Sequence, residues 1–112
     1  MSDDEPEDQP PIIAVIDAAV DADVNPATND GARVINLSLG GDGHPDDPLS
    51  QAVDNVSLHG VTVVVAAGND GPDEQTIGSP GTARRAITVG ASDKADHLAS
   101  FSSRGPVMWD GG

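Results

Sequence analysis

Two short segments are rich in small residues, and the second ends in a side-chain amide, a combination that suits a ligand-binding site. They contain the candidate binding residues of the chain, which are Ser38, Leu39, Gly40, Ala66, Ala67, Gly68 and Asn69. Small side chains let a ligand approach the protein backbone closely. An amide fixed after a glycine turn can donate a hydrogen bond to a carbonyl oxygen on which negative charge develops. Asn69 followed by Asp70 and Gly71 is also ordinary turn chemistry, so the pattern alone leaves both interpretations open.

The other polar candidates have simpler structural explanations. Asp42, His44, Asp46 and Asp47 are residue types that bind metals, but they directly precede an apolar helical pattern. We expect a solvated loop in which Asp46 or Asp47 caps that helix, and no metal site. Ser38 lacks the Gly-x-Ser-x-Gly sequence of a nucleophile elbow, and we expect it to be a strand-end residue.

Three apolar runs predict the strands that position these residues. Val34–Leu39 and Val61–Ala67 are rich in β-branched residues and each is followed by glycine, as is typical of buried strands. Ala86–Val89 is a third, shorter run. Ligands of parallel sheets bind beyond the carboxyl ends of the strands. The candidate binding residues follow the first two runs at those ends.

Two helices are predicted to flank the strands. The first has one apolar face and ends near Asp23, and its face residues are Ile12, Ile13, Ile16, Ala19 and Val20. The second ends at Gly60, and its face residues are Leu49, Ala52, Val53 and Val56. The order helix, strand, helix, strand, strand indicates an α/β fold with a short parallel sheet and helical crossovers.

The composition is strongly acidic. The 112 residues include 19 acidic and 5 basic side chains, which gives a net charge of −14. Without a basic stripe to displace counterions from phosphates, we expect neither nucleic acid nor an anionic membrane as a partner. Repulsion at this charge density destabilises the compact state unless salt screens it. The acidity therefore favours a halophilic adaptation.

The length corresponds to one small domain. Residues 1–11 are acidic and too polar to order themselves, so we expect a disordered tail before a domain at 12–112. We expect Trp109 to be a partly exposed aromatic residue in a frayed end. The absence of cysteine excludes disulfides and thiolate metal sites. We find no signal-peptide pattern and no apolar run of the ~18 residues that a membrane span needs. Localisation stays open.

Four sequence blocks occur in a recognisable order and spacing. They are VINLSLGG (34–41), VTVVVAAGNDGP (61–72), SPGTARRAITVGA (79–91) and ASFSSRGP (99–106). Together they resemble the subtilisin-like serine proteases, the subtilase family, over roughly the last two-thirds of the chain. The resemblance implies part of a subtilisin-like three-layer fold.

The resemblance also implies a role for each candidate binding residue. Asn69 matches the oxyanion-hole asparagine of the family. Ser38–Gly40 matches the extended segment that pairs with the substrate peptide, and Ala66–Gly68 matches the opposite side of the primary specificity pocket. The peptide bond between Ser79 and Pro80 matches one that is cis in the family. Some relatives hold a weak cation at carbonyls that correspond to Gly81, Ala83 and Ala86, but we expect no cofactor here.

The sequence departs from the family where the reaction itself takes place. No Gly-Thr-Ser-Met-Ala motif carries a nucleophile, and His44, His59 and His97 lack the neighbours of the catalytic histidine. Val15-Ile16-Asp17 echoes the catalytic aspartate motif, but alanines replace its Thr-Gly, and we favour a helical position for Asp17. A triad without its serine retains only residual acceleration from the oxyanion hole and binding. We therefore expect the chain alone to be inactive.

These observations leave three hypotheses. The first is part of a subtilisin-like serine endopeptidase, with a peptide or protein as the substrate of the complete enzyme. The second is a non-catalytic peptide-binding or interaction module on the same scaffold. The third is an acidic α/β domain that uses the scaffold without binding peptides.

Overall fold

A four-stranded parallel sheet forms the centre of the computed structural model, which describes residues 13–16 and 31–109. The sheet has the order β1-β2-β3-β4, and its strands are β1 (Ile13–Ile16), β2 (Val34–Leu37), β3 (Thr62–Ala66) and β4 (Ile87–Val89). The three predicted strands are confirmed, each one to two residues shorter than its apolar run. Their parallel register pairs Ile35 with Val63 and Val65 with Thr88.

The first predicted helix is wrong where the structure describes it. Ile13–Ile16 is a strand that pairs in parallel with Val34–Leu37. Four residues cover only about one helical turn, so their spacing cannot separate a helix from a strand. The β-branched Ile and Val residues favour the extended chain, and β2 supplies its hydrogen-bond partners. The remainder of that predicted helix, Asp17 and the tail at 1–11 lie outside the described residues.

The second predicted helix is confirmed as α1 (Pro48–Leu58). It begins with Asp47 as N-cap, whose carboxylate accepts a hydrogen bond from the backbone N–H of Ser50 at 2.8 Å. Pro48 suits the first turn because it has no N–H to leave unpaired. Gly60 follows the helix with a φ of +92°, a conformation that glycine adopts without strain. None of the helices in the described part of the chain has the length and apolarity to cross a bilayer.

The core lies between α1 and one face of the sheet. Its central side chains come from β2, β3 and α1 and are Ile35, Leu37, Val63, Val65, Val53 and Val56. The connection from β3 to β4 packs on this same side. Its Ser79 and Thr82 hydroxyls lie 3.2 and 3.0 Å from the buried hydroxyl of Ser50 on α1. The peptide bond from Ser79 to Pro80 is cis, as predicted.

Candidate functional site

A cavity of about 380 Å³ opens at the carboxyl ends of β2 and β3. Its lining includes all seven candidate binding residues, together with Gly41, Asp70 and Gly78. Because β2 and β3 are parallel neighbours, the segments that follow them leave the sheet at the same edge. The sheet therefore brings residues 38–40 and 66–69 together across one cleft, although they are separated by some 26 residues in the chain.

The first side of the cleft is formed by residues 38–40, which follow the last paired residue of β2. The Asn36 amide donates a hydrogen bond to the Ser38 hydroxyl at 3.1 Å. Beyond this segment Gly41 and Ser79 exchange two backbone hydrogen bonds, of 3.0 and 2.9 Å. A Cβ atom added to Gly40 would lie 3.2 Å from the Ser79 carbonyl oxygen. These contacts hold the end of the segment against Ser79.

The second side is a tight turn that places Asn69 at the end of β3. Gly68 has a φ of +109°, and a Cβ atom there would lie 2.9 Å from the Ser103 hydroxyl. The Ser103 N–H donates to the Gly68 carbonyl at 2.9 Å, and the Ser103 hydroxyl accepts from the Asp70 N–H at 2.9 Å. Ser103 therefore holds the backbone immediately before and after Asn69.

The side chain of Asn69 is exposed at the cleft, and no residue that the structure describes forms a hydrogen bond with it. Turn chemistry alone would place this amide on its own backbone. Here the backbone of the turn is held by Ser103, and the amide is left available. An amide in this position can donate two hydrogen bonds to a ligand.

The carboxylate of Asp47 supports the first side of the cleft through hydrogen bonds. Asp47 accepts hydrogen bonds from the Ser50 N–H at 2.8 Å, the Ser79 hydroxyl at 3.0 Å and the His44 N–H at 3.2 Å. Burial by itself would raise the pKa of Asp47, but these donors stabilise the carboxylate and hold its pKa below the ordinary value. Because Ser79 pairs with Gly41, the cap of α1 also positions the cleft.

Sequence reasoning missed the supporting serines, Ser79 and Ser103. Both stood inside recognised blocks, but their partners lie about 30 or more residues away in sequence. The only sequence signal for them was their place in these blocks, where Ser79 precedes Pro80 and Ser103 precedes Arg104 among small residues. Local patterns do not reveal which loop such a hydroxyl will contact.

The described residues bring no nucleophile–base pair into the cleft. None of the three histidines lines the cavity. The ring of His59 lies 2.7 Å from the carbonyl oxygen of Asn55, and His97 lies 3.7 Å from the Asp93 carboxylate. The arrangement offers a ligand an exposed amide donor, Asn69, beside small residues that permit close approach to the backbone. Cleavage requires groups that residues 13–16 and 31–109 do not place there.

Some of the residues considered for cation binding have hydrogen-bond partners within the fold. Among the residues that the structure describes, no group of three or more His, Cys, Asp or Glu side chains is arranged to hold a metal ion. Asp47 caps α1 instead. The carbonyl of Gly81 accepts a hydrogen bond from the Thr88 hydroxyl at 2.7 Å, and that of Ala83 accepts one from the Ala86 N–H at 3.4 Å. The weak cation site remains an implication of the resemblance, and the expectation of no cofactor stays a prediction.

Comparison of the sequence with known proteins identifies relatives of this chain. Residues 9–111 match the subtilase family. Serine protease AprX of Bacillus subtilis is 47% identical over 68% of the chain and 20% of its own length. Subtilisin-like protease 2 of Pseudogymnoascus destructans is 49% identical over 70% of the chain and 19% of its own length. The chain thus spans about a fifth of the length of these relatives.

Solved structures show the same fold. A variant of the protease domain of PatA superposes with a TM-score of 0.65 at 34% identity, covering 74% of this chain and 30% of that domain. Sphericase superposes with a TM-score of 0.58 at 35% identity, covering 71% of this chain and 27% of its own. Both matches agree with a partial α/β fold built on a short parallel sheet.

Proposed function

The chain belongs to the subtilase family, and from this premise we propose that its cleft is the substrate-binding and oxyanion site of a subtilisin-like serine endopeptidase. The observation that carries the proposal is the Asn69 amide, which has no hydrogen-bond partner among the described residues and lines the same cavity as residues 38–40. A family member needs both features to hold a peptide and to polarise its scissile carbonyl.

In this proposal the substrate adds to residues 38–40 as an extra strand, so that backbone hydrogen bonds fix its register. Ala66–Gly68 forms the other side of the pocket, where small residues leave room for a substrate side chain. The Asn69 amide then faces the carbonyl oxygen and stabilises the negative charge of the tetrahedral intermediate. The known cost of losing this donor in a member of the family is about 10²–10³-fold in turnover.

The chain alone is expected to bind peptides without hydrolysing them. A serine attacks the carbonyl in the complete family reaction, and a histidine takes its proton. Among the described residues no histidine lines the cleft, and the serine that does, Ser38, has no base beside it: its hydroxyl accepts a hydrogen bond from the Asn36 amide at 3.1 Å. A fluorophosphonate probe, which reacts with activated serines, should therefore fail to label the chain. Stoichiometric labelling would contradict this expectation.

The test of the binding site is calorimetry with an extended peptide aldehyde. We expect weak binding to the wild type and a loss of about tenfold in affinity for Asn69→Ala, which corresponds to one hydrogen bond of ~1.4 kcal/mol. Asn55→Ala is the matched control, because Asn55 is an exposed asparagine on α1, away from the cleft. Equal affinities for the wild type and Asn69→Ala would remove Asn69 from the site, and no binding at all would favour the scaffold-only hypothesis.

A non-catalytic peptide-binding module is the second candidate. It is favoured by one observation: the described residues build both sides of the cleft but place no histidine at it. This candidate predicts that a bound peptide stays intact during prolonged incubation, even when the rest of a subtilase polypeptide is supplied. Appearance of cleaved peptide in that mixture would reject the module and favour the endopeptidase.

We also propose that the acidic surface is an adaptation to high salt. With a net charge of −14, the folded chain repels itself, and at 1 M salt the screening length falls to about 3 Å. The melting temperature, followed by circular dichroism, should rise between dilute buffer and molar KCl. Sucrose is the control, since it stabilises proteins without screening charge. A melting temperature that does not rise in KCl would reject the proposal, whatever rise sucrose gives.

A further inference from the structure

Among the described residues, Asp70 is the only charged side chain that lines the cleft. The rest of that lining consists of glycines and alanines together with Ser38, Leu39 and Asn69. Asp70 is exposed, and its carboxylate forms no hydrogen bond or ion pair with any residue that the structure describes. The cleft therefore presents one unpaired negative charge to a ligand.

The backbone of Asp70 is anchored, so the position of this charge relative to Asn69 is defined. The Asp70 N–H donates a hydrogen bond to the buried Ser103 hydroxyl at 2.9 Å. The next N–H, that of Gly71, donates to the Phe101 carbonyl at 2.9 Å. The Cα atoms of Asn69 and Asp70 are neighbours in the chain, about 3.8 Å apart. The amide donor and the carboxylate thus stand side by side at the cleft.

A second cavity, of about 390 Å³, adjoins the cleft at Asp70 and Gly78, which line both. A Cβ atom at Gly78 would lie 2.9 Å from the Gly41 carbonyl oxygen, so a larger residue does not fit at this boundary. Asp42 is the only further charged residue that lines the second cavity among the described residues. All five basic residues of the chain lie in the described part, and none of them lines either cavity.

We propose that Asp70 selects substrates with a lysine or arginine side chain next to the carbonyl that Asn69 binds. The proposal rests on the peptide-binding function proposed above for the cleft. When that carbonyl faces Asn69, the side chain of the same substrate residue is the one nearest to Asp70. Its aliphatic stem can lie along the small residues 66–68 while its charged end reaches the carboxylate. Hydrogen bonds between charged groups are about twice as strong as those between neutral groups.

The same carboxylate disfavours acidic substrates. A glutamate side chain would bring a second negative charge into a cleft that offers it no basic partner, and such juxtaposed like charges weaken binding. The net charge of −14 also attracts basic peptides and repels acidic ones at longer range. This general attraction does not depend on Asp70, and a matched change of charge elsewhere in the chain separates the two effects.

Short peptides of the form acetyl-Ala-Ala-Ala-Xaa amide test the selection, with lysine, norleucine or glutamate as Xaa. Norleucine has the aliphatic stem of lysine without its charge. Titration into the isotope-labelled chain, followed by NMR at the side-chain amide of Asn69, reports binding at the cleft and gives each dissociation constant. We expect the lysine peptide to bind about fivefold more tightly than the norleucine peptide, the upper end for an exposed ion pair. The glutamate peptide should bind more weakly than both.

Asp70→Asn removes the charge, and Asp73→Asn is the matched control. Asp73 is an exposed acid three positions further along the chain that lines neither cavity. Both variants lose one negative charge, so the general attraction is equal in the two. In Asp70→Asn the three peptides should bind within about twofold of one another, because salt screens the more distant charges that remain. Asp73→Asn and the conservative Asp70→Glu should keep the lysine preference, and circular dichroism should show the wild-type fold in all three.

Three results would overturn the proposal. Equal binding of the lysine and norleucine peptides, with the Asn69 amide resonance shifted by both, would reject the selection and leave the cleft in place. A lysine preference that persists in Asp70→Asn would assign the preference to the general charge of the chain. Peptides that all leave the Asn69 amide resonance unchanged would reject the proposed cleft and, with it, the selection.

Discussion

The cleft edge of the sheet and the sheet face opposite α1 (the open face) differ in how fully the described residues bond or cover their groups. At the edge, Ser79 and Ser103 bond backbone groups of the cleft, Asp47 accepts a hydrogen bond from the Ser79 hydroxyl, and the Asn69 amide has no hydrogen-bond partner among the described residues. On the open face, Ile87 and Val89 remain about half exposed. The chain therefore carries the means to shape a binding site, but its described part does not complete the sheet that supports this site.

Among variants that test this comparison, the largest loss of stability is expected from Gly71→Ala, which disturbs the cleft edge. A Cβ atom at Gly71 would collide with the backbone carbonyl of Ser102, which cannot rotate away. The segments that carry Asn69 and Ser103 would have to separate, since the Gly71 N–H also donates to the Phe101 carbonyl at 2.9 Å. We expect a loss of about 3 kcal/mol, at the upper end of overpacking effects, measured by urea unfolding. A variant as stable as the wild type would show that these segments are not tightly packed.

A matched pair of valines tests the difference between the two faces directly. Val65 is fully buried in the core and Val89 is 49% exposed on the open face. Val65→Ala should destabilise the chain by about 2 kcal/mol, because two methyl groups are lost and a cavity remains. Val89→Ala should cost less than about 0.5 kcal/mol. Equal losses in urea unfolding would mean that the open face is already covered.

Asp47→Ala should weaken the link between α1 and the cleft. Loss of an N-cap typically costs about 1 kcal/mol. The pKa of Asp47 is held below its ordinary value, so the folded state favours the carboxylate. Its contribution is therefore complete above the unfolded pKa of about 3.9 and disappears as the pH falls through the folded pKa. The stability difference between wild type and variant should shrink on acidification, and a difference that stays constant with pH would exclude the carboxylate as its source.

The smallest effect on stability is expected from Asn69→Ala. The side chain is exposed and forms no hydrogen bond with the described residues, so its removal should change the free energy of unfolding by less than about 0.5 kcal/mol. Its effect should be seen in ligand binding alone. A loss larger than that of Asp47→Ala would show that the amide supports the turn, which is the structural explanation of this residue.

Much of the fold could be predicted because local pattern and long-range packing agree there. Val34–Leu37, α1 and Thr62–Ala66 have both the right apolar spacing and glycines at their ends. Ile13–Ile16 could not be predicted from its pattern, because four apolar residues fit either element and their strand state depends on pairing with β2. The convergence of the candidate binding residues followed from the parallel sheet, since its strand ends meet at one edge.

The parts that sequence could not predict depend on contacts between distant loops. Trp109 is partly exposed, as expected, but it does not lie in a frayed end. Its indole N–H donates to the Thr82 carbonyl at 2.8 Å, and the Arg84 guanidinium lies 5.3 Å from the centre of its ring. Both partners lie some 25 residues earlier in the chain. Neither hydropathy nor turn residues carry information about such a contact.

The shared carboxylate of Asp47 joins two events that would otherwise be independent. Fraying of the first turn of α1 releases Ser50 and, through the same side chain, the Ser79 hydroxyl beside Gly41. A peptide held by residues 38–40 would oppose that fraying, since a ligand that binds one state of an equilibrium populates it. Amide protons at the start of the helix should then exchange with deuterium more slowly when the cleft is occupied, although the ligand touches none of them.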